Sequence, residues 1–129
     1  NIDDKIYESI KKVIGDEVEY SNKEVVSKAL MWGSIDIFLS DKKFSKKEQE
    51  IFKKNFGDKS TESIVSLIKI SNPKSIQNKI NTTLDEASKL IKKDKEKIVN
   101  ELSKLLKVAD GDQKILKNTV NKIETKLKI

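Results

Sequence analysis

Cysteine, histidine and arginine are all missing from this chain of 129 residues, and each absence removes a class of chemistry. Without cysteine there is no disulfide, no thiolate nucleophile and no sulfur-liganded zinc. Without histidine there is no Ser-His or Cys-His pair and no imidazole ligand. Site chemistry is left to carboxylates, hydroxyls, lysines and carbonyls, so a metal held here would be a hard cation such as calcium or magnesium. All 27 basic residues are lysines. That removes the planar guanidinium fork on which bidentate phosphate and base recognition relies, and no specific nucleic-acid partner is expected. No run of 18 apolar residues occurs, so no membrane-spanning helix is expected, and the start carries no signal-peptide pattern. The chain opens on Asn1, so a fragment or processed product of a larger protein is expected; the location expected is cytoplasmic, with membrane association of the parent left open.

What is present is charge in a periodic frame. Charged residues make up 37% of the chain and the net charge is +6. Through Lys59, twelve lysines balance twelve acids; from Ser60 onward fifteen lysines meet nine acids, so the excess lies in the second half. A lysine-, isoleucine- and asparagine-rich chain without arginine is also what an AT-rich coding sequence produces, with no partner required. The run Lys89, Lys92, Lys93, Lys95 and Lys97, with Lys104 and Lys107, could face nucleic acid or an anionic membrane surface. Asp94, Glu96 and Glu101 dilute it and no aromatic residue is interleaved for stacking, so a solvated face is the reading adopted.

The apolar residues recur at helical spacing throughout. Ile6, Ile10, Val13 and Ile14 mark a helix over 3–14 closed by Gly15, and residues 16–20 read as a polar connector. Ser21 and Glu24 form a Ser-x-x-Glu box ahead of a helix carrying Val25 to Leu39, apolar nearly all round and so expected at the centre of a bundle. Gly33 in its interior costs about 1 kcal/mol against alanine, which predicts a second helix pressed close to its backbone. After a turn at residues 40–43, the box Ser45 to Glu48 opens a helix closed by Gly57. Ser60 opens the next, Asn72 and Pro73 cap and start another, Asp94 a further one, and a last helix carries Ile115 to Leu127. Ile76, Ile80, Leu84, Ala87 and Ile91 give the cleanest single stripe. It can be followed through residues 92–97 with one turn missing, as one long bent helix, but a break is the reading adopted. No stretch alternates with period two. The fold class expected is all-α: a single-domain bundle of about seven helices over residues 1–129.

Leu30–Phe56 and Leu102–Leu127 share one plan: an apolar helix, an aspartate-containing turn, an amphipathic helix. This predicts a degenerate internal helix-hairpin repeat. The first turn reads Ser40-Asp41-Lys42-Lys43-Phe44-Ser45-Lys46-Lys47-Glu48, the second Val108-Ala109-Asp110-Gly111. These residues resemble the TerB-like helical domain of tellurite-resistance proteins, over residue 24 to the C-terminus, with residues 1–20 outside it. Lys42 stands where the family favours glycine. The second motif loses its Ser-x-x-Glu, with Lys117 seven residues past Asp110 where Glu48 is seven past Asp41. The resemblance implies a compact helical module without a catalytic centre, tied to stress responses and often fused to other domains. Some members bind divalent cations through acidic residues. The helix around Trp32-Gly33-Ser34 also resembles a TerB-like tail of large bacterial zinc metallopeptidases. In such a parent the His-Glu-x-x-His motif would lie upstream, since this chain has none.

Asp41, Glu48, Asp110 and Asp112 are the candidate metal site, for calcium or magnesium, or else a partner-docking site, provided the two turns meet. Each also has a complete structural reading. Glu48 holds the third position of a capping box, Asp41 suits an Asx turn, and Asp110-Gly111 suits a helix terminus. An EF-hand is excluded by the spacing. Asp36 is the odd residue, an acid between Ile35 and Ile37. It is read as lying on a narrow solvated face; if buried, it needs a lysine, a hydroxyl or a helix N-terminus. Trp32, Phe38, Phe44, Phe52 and Phe56 are read as core. No catalytic residue and no cofactor is assigned. The expected role is an interaction or regulatory module that binds a protein partner or its own upstream domain. The alternatives are an accessory domain of a metallopeptidase or a lysine-rich nucleic-acid or membrane-surface binder.

Overall fold

The computed structural model describes the backbone of residues 17–129 and the side chains from residue 22 onward. Six α-helices run through these residues, and no strand occurs among them: α1 (Glu17–Phe38), α2 (Lys46–Phe56), α3 (Asp58–Ile70), α4 (Pro73–Ala87), α5 (Lys92–Ser103) and α6 (Gln113–Leu127). Short 3₁₀ segments, Leu39–Asp41 and Lys104–Lys107, follow α1 and α5. The helix expected over 3–14 lies outside the described residues.

The two ends of α2 illustrate how closely local chemistry sets the boundaries. Ser45 accepts from the Glu48 N–H while the Glu48 side chain accepts from the Ser45 N–H, so both halves of the capping box form. Gly57 ends the helix at φ 90°, a conformation that costs a Cβ-bearing residue more. At α4, Asn72 accepts from the Ser75 N–H at 2.8 Å and Pro73 takes the first helical position.

Three expected boundaries are corrected. Residues 17–20 are not a connector: α1 already runs at Glu17, so Ser21 lies inside the helix rather than at its start. With no glycine or proline between Glu17 and Gly33, nothing there breaks the ladder, and a Ser-x-x-Glu pattern alone does not start a helix. α3 begins at Asp58 rather than Ser60, because Gly57 serves as the end of one helix and the cap of the next. α5 begins at Lys92, which places Asp94 in the first turn beside the positive helix end rather than at the cap.

α1 is the central helix and packs against α4, α5 and α6. Ile35, Ile37 and Phe38 are fully buried on it, so successive residues are covered on all sides. Phe38 stacks on Phe44 with ring centroids 5.9 Å apart, Phe44 meets Phe52 edge-on at 5.9 Å, and Phe52 lies 4.7 Å from Phe56. The aromatic residues are therefore core, and burying each contributes about 1.5–3 kcal/mol. The lysine face is solvated except at Lys95, which is buried. Its Nζ donates to the carbonyls of Ser88 at 3.4 Å and Lys128 at 3.2 Å, tying the α4–α5 connection to the end of α6.

Gly33 sits where the close approach was expected. A Cβ there would lie 2.6 Å from Leu102 Cδ1 on α5. Leu102 is itself almost fully buried and has little room to retreat. Gly33→Ala is therefore expected to destabilise the protein in urea unfolding by about 1 kcal/mol, overpacking outweighing the gain in helix propensity. In a Leu102→Ala background the same change is expected to stabilise by up to about 1 kcal/mol, because only the propensity gain remains. A Gly33→Ala effect of the same sign in both backgrounds would refute the contact's role.

Candidate functional site

The two aspartate turns meet. After α1, Lys42 adopts a left-handed conformation (φ 67°) and its N–H returns to the Leu39 carbonyl at 2.8 Å. Asp41 Oδ1 accepts from the Lys43 N–H at 3.0 Å, the Asx turn its position suggested. Glu48, fully buried, spends its first oxygen on its own capping box at 3.1 Å and its second on the N–H of Asp110 at 3.0 Å. The Ser45 hydroxyl accepts from Glu48 N–H and donates to Asp110 Oδ2 at 2.7 Å. Gly111 closes the junction at φ 113°, where an added Cβ would stand 3.2 Å from Asp41 Cβ. Lys47 Nζ lies 3.7 Å from Asp110 Oδ1.

The four acids singled out from the sequence thus divide. Glu48, Asp41 and Asp110 come together at the junction, whereas Asp112 accepts from the Lys114 N–H at 2.8 Å and caps α6. Among the described residues, no three carboxylates are grouped as a metal ligand set. Burial pushes the Glu48 carboxyl above its ordinary value; the N–H groups of Ser45 and Asp110 oppose this, and the charges of Asp41 and Asp110 add to it. As arranged, the junction is a clamp: its oxygens receive backbone and hydroxyl protons.

A second feature lies beside the first turn. A groove of about 700 Å³ opens between the end of α1, the end of α3, the start of α4 and the outer face of α6. Leu39, Ile68, Pro73, Ile76, Ile80 and Ile115 supply apolar wall, and Ile115 is still 47% exposed. Lys42 and Lys122, both exposed, stand at its margin, and Asp36 lies at its base.

Asp36 corrects the sequence reading. It is buried, not on a solvated face, and its Oδ2 has no hydrogen-bond partner among the described residues. Residues 32–38 of α1 are all buried, so this end of the helix has no solvated face. Burial pushes its carboxyl up from the ordinary value, and the attraction of Lys122 and Lys126 only partly offsets this. Lys126 is pushed down, first by burial, then by repulsion from Lys122, with Asp36 pulling the other way. Its Nζ donates to Asn81 Oδ1, which also accepts from Gln77. No pattern in the sequence places Lys122 and Lys126, some 90 residues along the chain, near Asp36; only the packing of α6 on α1 does.

Two predictions follow from the two buried carboxylates. Glu48→Ala orphans two N–H groups and is expected to cost about 2–4 kcal/mol in urea unfolding, and to speed amide exchange at Asp110. Glu48→Gln keeps one acceptor oxygen and removes the buried charge, so it is expected to cost less than half as much. For Asp36, the folded state holds the proton more tightly than the unfolded chain, whose value is near 3.8. Stability is therefore lost as pH rises from there through the raised folded value, and the cost persists at neutral pH. Unfolding free energies of wild type and Asp36→Asn are expected to diverge in the variant's favour as pH rises from about 4 to about 7. Parallel pH profiles would show that Asp36 titrates normally.

A comparison with protein-family models, characterised proteins and solved structures finds no match to this chain.

Proposed function

We propose that this domain is a non-catalytic interaction module of a larger bacterial, cytoplasmic protein. It docks a protein partner, or another part of its own polypeptide, on the helix faces that flank the two turns. The observation that carries the reading is the groove whose wall is built from Leu39, at the first turn, and Ile115, just past the second. The junction between those turns is occupied with holding them together, which leaves its carboxylates committed as acceptors. A clamp of this kind fixes the two walls relative to each other, and a rigid, partly apolar surface is what docking needs. Within this reading the two halves are copies of one helical hairpin, each helix running into a 3₁₀ segment before its turn. The likeness to TerB-like domains rests on residues 40–48 and 108–111.

The test is site-specific photo-crosslinking in cells. A photoreactive phenylalanine analogue replaces Ile115 or Ile70, which are 47% and 83% exposed, with Lys93 on α5 as the control position. Ile70 directly precedes Ser71, which also lines the groove. Discrete adducts are expected from Ile115 and Ile70, absent at Lys93 and lost when Lys42→Glu and Lys122→Glu are added. An adduct pattern identical at all three positions overturns the proposal.

A further inference from the structure

The groove has three chemical demands, and they point to one kind of occupant. Its walls are apolar, at the junction of α1, α3, α4 and α6. Its margin is cationic, through Lys42 and Lys122, with Lys126 close enough to act on the same carboxylate. Its base presents Asp36, more than nine-tenths buried, with an oxygen that receives no proton from any described residue. A buried acceptor without a donor is costly, and a ligand that supplies the donor recovers that cost on binding.

An ammonium would meet repulsion from Lys122 and Lys126, whose charges already act on the carboxylate. A neutral N–H meets no such repulsion. An anionic group suits the margin, and an apolar side chain suits the walls. One peptide end carries all three groups within a single residue: a backbone N–H, an apolar side chain and a terminal carboxylate. Capture of a chain terminus by a shaped cleft is an established mode of recognition. A volume of about 700 Å³ exceeds what one side chain fills and leaves room for the residues that precede it.

We infer that the groove beside the first turn binds the C-terminal end of a partner chain whose last residue is apolar. The terminal carboxylate lies between Lys42 and Lys122, the last side chain among Ile68, Ile76 and Ile115, and the backbone N–H meets the Asp36 carboxylate. This rests on the docking reading above and names its partner chemistry.

The experiment is fluorescence anisotropy with the full chain and four labelled hexapeptides. They are identical except for a last residue of leucine, isoleucine, valine or phenylalanine, and each is made both as the free acid and as the C-terminal amide. At least one free acid is expected to saturate below about 1 mM, with the amide weaker by about tenfold or more. Lys122→Gln is expected to weaken the acid several-fold and leave the amide unchanged. Ile115→Glu, at an exposed position that leaves the core untouched, is expected to abolish binding of both. Asp36→Leu, checked for helical content by circular dichroism, is expected to weaken both forms alike, since it removes the acceptor for the N–H. Failure of every peptide to saturate, or equal affinity of acid and amide, overturns the inference. Saturable binding of sodium decanoate with no binding of any peptide also overturns it, and assigns the site to fatty acids. If no peptide binds while the crosslinks at Ile115 and Ile70 persist, this occupant falls and the docking reading stands.

Discussion

A single carboxylate fastens the two aspartate turns to each other. Glu48 belongs to the start of α2, yet one of its oxygens reaches the backbone of Asp110, 62 residues later. The bond costs the desolvation of a charge, offset by two N–H donors whose own burial would otherwise be uncompensated. Since the donors are main-chain groups, the bond positions backbone against backbone, which a contact between flexible side-chain ends would not do. Gly111 gives the closest approach its room, against the Cβ of Asp41. Two walls of the groove, the end of α1 and the face of α6, are elements entering and leaving the clamped turns, and α3 and α4 supply the rest.

Asp36 offers the contrast. Both acids are buried and both carboxyls are pushed upward by desolvation. Glu48 has a donor on each oxygen, and Asp36 leaves one oxygen without any among the described residues. Lys122 and Lys126 attract Asp36 from a distance without bonding to it, and Lys126 spends its ammonium on Asn81. Coulomb attraction across that distance lessens the desolvation penalty without providing the directed proton that would satisfy the oxygen. The uncompensated carboxylate lies in the lining of the groove beside the first turn.

What was legible in the sequence was whatever is set locally. The Ser45 capping box, the Asn72-Pro73 start, the Gly57 stop and the aromatic core all follow from spacing within a few residues. Gly33 was legible for another reason: a residue unfavourable in a helix needs a cause, and Leu102 is that cause. The errors have equally local origins. Ser21 and Glu24 match a box, but the residues before them contain nothing that stops a helix. Asp94 resembles a cap, but Ile91 takes that place and Asp94 joins the first turn. The burial of Asp36 was illegible because α1 is apolar on all sides, so its stripe does not say which face meets solvent. The second bond of Glu48 was illegible as well, since one complete role in the capping box hid the other.

The remaining buried charge completes the comparison. Among the described residues the charged side chains classed as buried are Asp36, Glu48 and Lys95. Lys95 carries its ammonium to two carbonyls at the ends of helices, and Glu48 carries its carboxylate to two N–H groups. Each matches main-chain groups that the helices leave unpaired, so each charge is a fastening between elements. Asp36 lies mid-chain in the last turns of α1, where the backbone is already paired within the helix and has nothing to offer it. Its donor must come from a side chain or from outside the fold. Lys122 and Lys126 attract it and neither is bonded to it, so among the described residues Oδ2 keeps no donor.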